Sequence, residues 1–134
     1  MTAKLAAMCG VLGALWMLGM TLIGGANFPG YDHGAQFISE LGANGAPHGQ
    51  LVSWLGFGPT GVLVTAFAVF VWVAVPRSVM STLGFIGIVL FAVGYLGATV
   101  FRCDFGCRPE APSFSQQMHN LFGLSGYVFA APCM

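Results

Sequence analysis

Long apolar runs alternate along this chain with polar stretches, a pattern that reads as membrane spans joined by loops. The apolar runs cover residues 5–25, 51–75 and 82–101, and a fourth covers 114–134 after opening on a few polar side chains. A helix crosses a bilayer with about 20 predominantly apolar residues. The pattern therefore predicts an all-α integral membrane helical bundle, one domain over 1–134 with about four transmembrane helices. The polar stretches, 27–50 and 102–120, hold all four acidic residues and all three histidines. If every run crosses, both stretches emerge at the same membrane face, with loops over 27–50 and 102–113.

Local signals refine each span. The first run follows Lys4 and is longer than the roughly 7–15 apolar residues of a secretory signal, so it reads as a retained helix. In the second, Gly56, Gly58, Pro59 and Gly61 crowd the first turns. Pro59 lacks a backbone donor and predicts a kink or loosened turn there. Pro76 and Arg77 break the chain before the third run. Gly94 with Ala98, and Ala6 with Gly10, are small-xxx-small pairs that let helices approach in lipid. Ser113-Phe114-Ser115-Gln116 fits a capping box, with Ser113 as N-cap and Gln116 reaching back. A helix from there to residue 134 is about 31 Å long at ~1.5 Å per residue, and it places His119, Gly123, Gly126 and Ala130 on one inward face. In the first loop, residues 36–43 predict a short interfacial helix of two turns, ended by Gly42 or Gly45.

Composition supports this class. The chain is 57% hydrophobic and 6% charged, whereas soluble domains carry about a quarter charged residues. With zero net charge and only four Lys and Arg, no basic patch exists for nucleic acid. Lys4 and Arg77 fall on one side and Arg102 and Arg108 on the other, so the positive-inside rule ties. Cys103 and Cys107 share one short loop and could close as a disulfide, which favours an oxidising exterior for the loops and cytoplasmic termini. Cys9 and Cys133 then lie near the opposite face as buried thiols.

Candidate chemistry is confined to the two polar stretches. Ionisable groups at membrane depth must be paired or hydrated, so His119 calls for a partner, with Asp104 or Glu40 the first candidates. Ser39, Glu40, Asp104 and His119 form the candidate catalytic set, in which Glu40 or His119 acts as general base and Asp104 as orienter. Arg102, Arg108 and His48 are candidate ligand-binding residues. The two arginines can hold a lipid phosphate or pair with Asp104 and Glu110. Metal-assisted hydrolysis could draw on His33, His48 and His119 with a carboxylate, yet their spacing matches no compact metal motif. Disulfide exchange with a membrane quinone lacks both a Cys-x-x-Cys pair and a second relay pair. A further reading is structural, with polar groups pairing to staple the loops over the bundle, and Asp32 with His33 forming a surface pair. No metal or cofactor is identified by the sequence.

Ile38-Ser39-Glu40-Leu41-Gly42-Ala43, preceded by Pro29-Gly30-Tyr31-Asp32, resembles the multi-span bacterial membrane family called domain of unknown function nine-nine-eight. A second block, Phe101 to Asp104 followed by His119-Asn120 and Gly123, carries the same resemblance, which covers essentially the whole chain. That family is distantly similar to Frag, DRAM and Sfk type membrane proteins, some linked to lipid handling. The resemblance implies a multi-pass protein of the bacterial inner membrane in which Ser39, Glu40, Asp104 and His119 form the shared site, and it supplies no reaction. Members usually have about six spans, so this chain reads as a shortened or truncated version, and homo-oligomerisation could replace the missing helices. The expected function is a polar site at the outer face that binds a lipid headgroup; the alternatives are a lipid hydrolase and a non-catalytic membrane subunit.

Overall fold

The computed structural model describes residues 1–130. Four long helices make up the bundle: α1 (Thr2–Ala26), α2 (Gly49–Ala74), α3 (Val79–Val100) and α4 (Phe114–Ala130). No strand occurs among the described residues. The main contacts run α1 to α2, α2 to α3 and α3 to α4, so the helices form a row with α1 and α4 at its ends. Three of them, α1, α2 and α3, are long and apolar enough to cross a membrane. The fourth is described over 17 residues, and the remainder of the predicted fourth span, with Cys133, lies outside the described residues.

Small residues face inward and large aliphatic ones outward. In α1 the buried positions are Ala6, Gly13, Met17, Thr21 and Gly25, one stripe at near-helical spacing. Leu15, Leu18 and Leu22 are more than half exposed. Water would not tolerate that surface, and lipid favours it. The α3–α4 contact is built the same way. A Cβ at Gly97 would fall inside the Phe122 ring, and one at Gly126 would lie 3.4 Å from Phe91 Cα.

After a short α-helical start at Gly49–Leu51, the second helix passes through a π turn over Val52–Phe57 before its α-helical body. This is the disturbance that Pro59 predicts: without an N–H, Pro59 cannot donate to the Leu55 carbonyl in α geometry. The indole Nε1–H of Trp16, on α1, donates to that carbonyl instead at 2.7 Å. The third helix starts at Val79 rather than at residue 82. Ser81 N–H bonds Ser78 Oγ at 3.1 Å and Ser78 N–H bonds Ser81 Oγ at 2.7 Å, a reciprocal cap. Arg77 stacks over Trp72, 5.1 Å from the ring centroid, which tightens the α2–α3 turn.

In the first loop, the short helix is a single 3₁₀ turn, Ile38–Gly42. Phe37 is extended, and its N–H is taken by the Glu40 carboxylate at 3.0 Å, which starts the turn only at Ile38. Ala43 returns to extended backbone and ends it. Leu41, 1% exposed, drives down from this turn into the core formed with Met17, Val52 and Phe57. The best-packed apolar cluster thus sits at the cap end of the bundle.

Candidate functional site

The two polar stretches interlock into one cap. Asn44 N–H donates to the Cys103 carbonyl at 2.8 Å, and its side-chain amide to the Arg102 carbonyl at 3.3 Å. Ser53 Oγ donates to the Gly42 carbonyl at 3.1 Å, fixing the 3₁₀ turn to α2. Gly42 suits that place because a Cβ there would lie 2.6 Å from the Phe57 ring. Gln116, 1% exposed, is the internal clamp of the second stretch. Its Oε1 accepts from Asp104 N–H at 2.8 Å, and its Nε2 donates to Asn120 Oδ1 at 2.7 Å and to the Cys107 carbonyl at 3.4 Å.

Cys103 and Cys107 are joined by a disulfide. It closes a turn in which Gly106 (φ 75°) and Cys107 (φ 53°) are both left-handed and Cys107 N–H returns to the Asp104 carbonyl at 2.8 Å. The Ser39 hydroxyl lies 3.4 Å from Cys107 Sγ, and Ser39 must be the donor because a disulfide sulfur carries no hydrogen. This contact joins the 3₁₀ turn of the first loop to the disulfide turn of the second.

Each of the other proposed catalytic side chains has its own partner. Glu40 accepts from Gln36 Nε2 at 2.7 Å and from Phe37 N–H. Asp104 accepts from the Ser113 hydroxyl at 2.7 Å and from Ser113 N–H at 2.9 Å. His119 does not meet Asp104 or Glu40: its Nδ1 bonds the Phe101 carbonyl at 2.9 Å. That carbonyl lies just past the end of α3, where helix acceptors lack intrahelical donors, and Asp104 is already committed to the start of α4. Ser39 and Glu40 therefore share one turn, while Asp104 and His119 clamp α4.

The remaining candidates are dispersed. His48 is exposed in a left-handed conformation (φ 56°) at the start of α2. Arg108 lies over the Phe37 ring, 4.5 Å from its centroid. Arg102 contributes its carbonyl to Asn44 and to Ser115 Oγ, the latter at 2.7 Å. Asp32 and His33 do not pair. Asp32 Oδ1 accepts from Gly34 N–H at 2.7 Å, and His33 sits edge-on to Tyr31 with ring centroids 4.9 Å apart. Tyr31 donates to the Phe37 carbonyl at 3.1 Å. Burial, and then the Glu40 charge, push its phenol above the ordinary tyrosine pKa. Among the described residues no three His, Cys, Asp or Glu side chains are grouped as a metal site requires.

Beneath the cap lies a cavity of about 500 Å³. Its roof is His33, Gln36, Phe37, Ile38 and Ser39; its walls are Phe57 of α2, Phe91, Gly94, Tyr95 and Ala98 of α3, and Gly123, Gly126 and Tyr127 of α4. The polar groups are at the cap end and the walls are mostly apolar and aromatic. A Cβ at Gly123 meets nothing within 4 Å, so this glycine borders open space. Of the proposed catalytic and ligand-binding residues, only Ser39 lines the cavity, joined there by His33, a candidate metal ligand. Sequence reasoning missed Gln36, Tyr95 and Tyr127; the one available signal was the inward face predicted for Gly123 and Gly126.

No curated protein and no solved structure matches the chain. The model of one family, described as "Protein of unknown function (DUF998)", matches residues 11–134. With nearly its whole length covered, this helical, membrane-spanning chain belongs to the DUF998 family.

Proposed function

We propose that this protein binds a membrane lipid, with the chains in the cavity beneath the cap and the headgroup at the cap. The observation that carries the reading is the cavity itself: about 500 Å³, apolar in its walls and polar at one end. That volume falls in the usual range of small-molecule sites, roughly 300–1,000 Å³. Hydrolysis of the lipid would need a base on the Ser39 hydroxyl, whose neighbour is the Cys107 sulfur; binding needs no such group. The disulfide favours a cap on the oxidising side of the bacterial inner membrane and termini in the cytoplasm.

Gly123→Trp tests this. Gly123 lines the cavity and a Cβ there meets nothing within 4 Å, so a bulky side chain at this position takes up cavity space. Native mass spectrometry of the detergent-released protein should show co-purifying lipid on the unmodified chain and its loss in the variant, at an unchanged melting temperature. If the variant retains the same lipid, the cavity is not the binding site.

A further inference from the structure

The cap places a cation at the rim of the cavity. Arg108 follows directly on the disulfide turn, whose two left-handed residues and return hydrogen bond set the direction in which the chain leaves it. The Ser39–Cys107 contact presses that turn against the roof of the cavity. The result is a guanidinium 4.5 Å from the centroid of Phe37, a ring that lines the cavity. A contact with a ring uses none of the guanidinium N–H donors, which stay available for a ligand.

Arg108 forms no ion pair with Glu40, Asp104 or Glu110 among the described residues. Both Asp104 oxygens are held by Ser113. Both Glu40 oxygens are held by Gln36 and Phe37. Among the described residues the Arg108 side chain makes no hydrogen bond, and its ring contact is with Phe37. A planar fork of free donors at the rim of the cavity suits a tetrahedral oxyanion, above all a phosphate ester.

We infer that Arg108, at the disulfide turn that the Ser39 hydroxyl contacts, recognises a phosphate group, so that the ligand is a phosphate-bearing lipid with its chains in the cavity. This rests on the lipid-binding reading above. Arg77 is the internal comparison: it stacks on Trp72 in the same manner at the other end of α2, away from the cap.

The test measures, by native mass spectrometry in neutral detergent, binding of dioleoyl phosphatidylglycerol and of dioleoylglycerol, which has the same chains and no phosphate. The unmodified protein should prefer the phospholipid by roughly tenfold or more, the scale of a charge-assisted hydrogen-bond pair. Arg108→Gln should bring the phospholipid down to the level of dioleoylglycerol, Arg108→Lys should keep part of the preference, and Arg77→Gln should keep all of it. Equal binding of both lipids, unaffected by Arg108→Gln but lost in Gly123→Trp, would overturn the phosphate inference and leave the cavity reading standing. Failure of both lipids to bind would remove both readings. An equal loss in Arg77→Gln would reduce the effect to general surface charge. Displacement by inorganic phosphate, without any lipid preference, would replace the inference with a site for soluble phosphate.

Discussion

At the residue scale, the membrane makes one missing hydrogen bond a structural decision. The Leu55 carbonyl loses its α-helical donor because residue 59 is proline, and in lipid no water can replace it. The π turn and the Trp16 indole answer that loss together. Trp16→Phe keeps the ring and removes the donor, so it should destabilise the protein by about 1 kcal/mol, the scale for interhelical hydrogen bonds in membranes. Pro59→Ala restores a backbone donor, so in that background the same substitution should cost clearly less. Reversible unfolding in mixed micelles reads both; an identical cost in both backgrounds would mean that the indole is not compensating for the proline. Pro59 itself was legible in the sequence as a disturbance of the second helix. Its partner was not, because Trp16 lies 39 residues away and nothing local connects the two.

At the scale of elements, helix existence was legible and helix ends were legible only where the cap chemistry was read. Ser113 is the N-cap of α4 because its hydroxyl accepts from Gln116 N–H at 3.1 Å. The box, however, is completed by Asp104, which takes Ser113 N–H, while the Gln116 side chain turns into the cap. A capping-box pattern names the residue that should reach back; it cannot exclude a carboxylate arriving from a neighbouring loop. The first-loop turn diverges for a similar reason: Glu40 and Gln36 form side-chain hydrogen bonds that close a 3₁₀ turn where apolar spacing alone suggested two α turns. Gln116→Ala leaves the Asp104 N–H and the Cys107 carbonyl without their side-chain partner in a buried place. It should cost about 1–3 kcal/mol, the penalty for leaving a buried polar group unpaired. Hydrogen exchange should then report early opening of 102–113 while α1 and α2 keep their protection; uniform loss of protection would instead assign Gln116 to the global core.

At the scale of the whole molecule, sequence pattern was enough for an all-helical membrane fold and for gathering the polar residues at one end. The cavity was out of reach, because its lining comes from the first loop and three helices, and helical spacing within one helix does not show which other segments its face meets. Orientation is likewise a property of the whole chain. The basic residues divide evenly between the two ends, so charge does not choose a side. The Cys103–Cys107 disulfide supports the orientation proposed above, because such bonds persist in oxidising compartments. On the orientation proposed above, the cap lies on the outer side and the Pro76–Ser78 turn lies with the N-terminus on the inner one. Single cysteines introduced as Glu110→Cys and Arg77→Cys, in a chain carrying Cys9→Ser and Cys133→Ser, separate the two arrangements. A membrane-impermeant maleimide added to cells whose inner membrane is intact should label the exposed cap position and leave the turn position unmodified until the membrane is permeabilised. The opposite pattern would place the cap in the reducing compartment. Arg108 would then face the inner leaflet, and the disulfide could not be the resident state that holds it over Phe37.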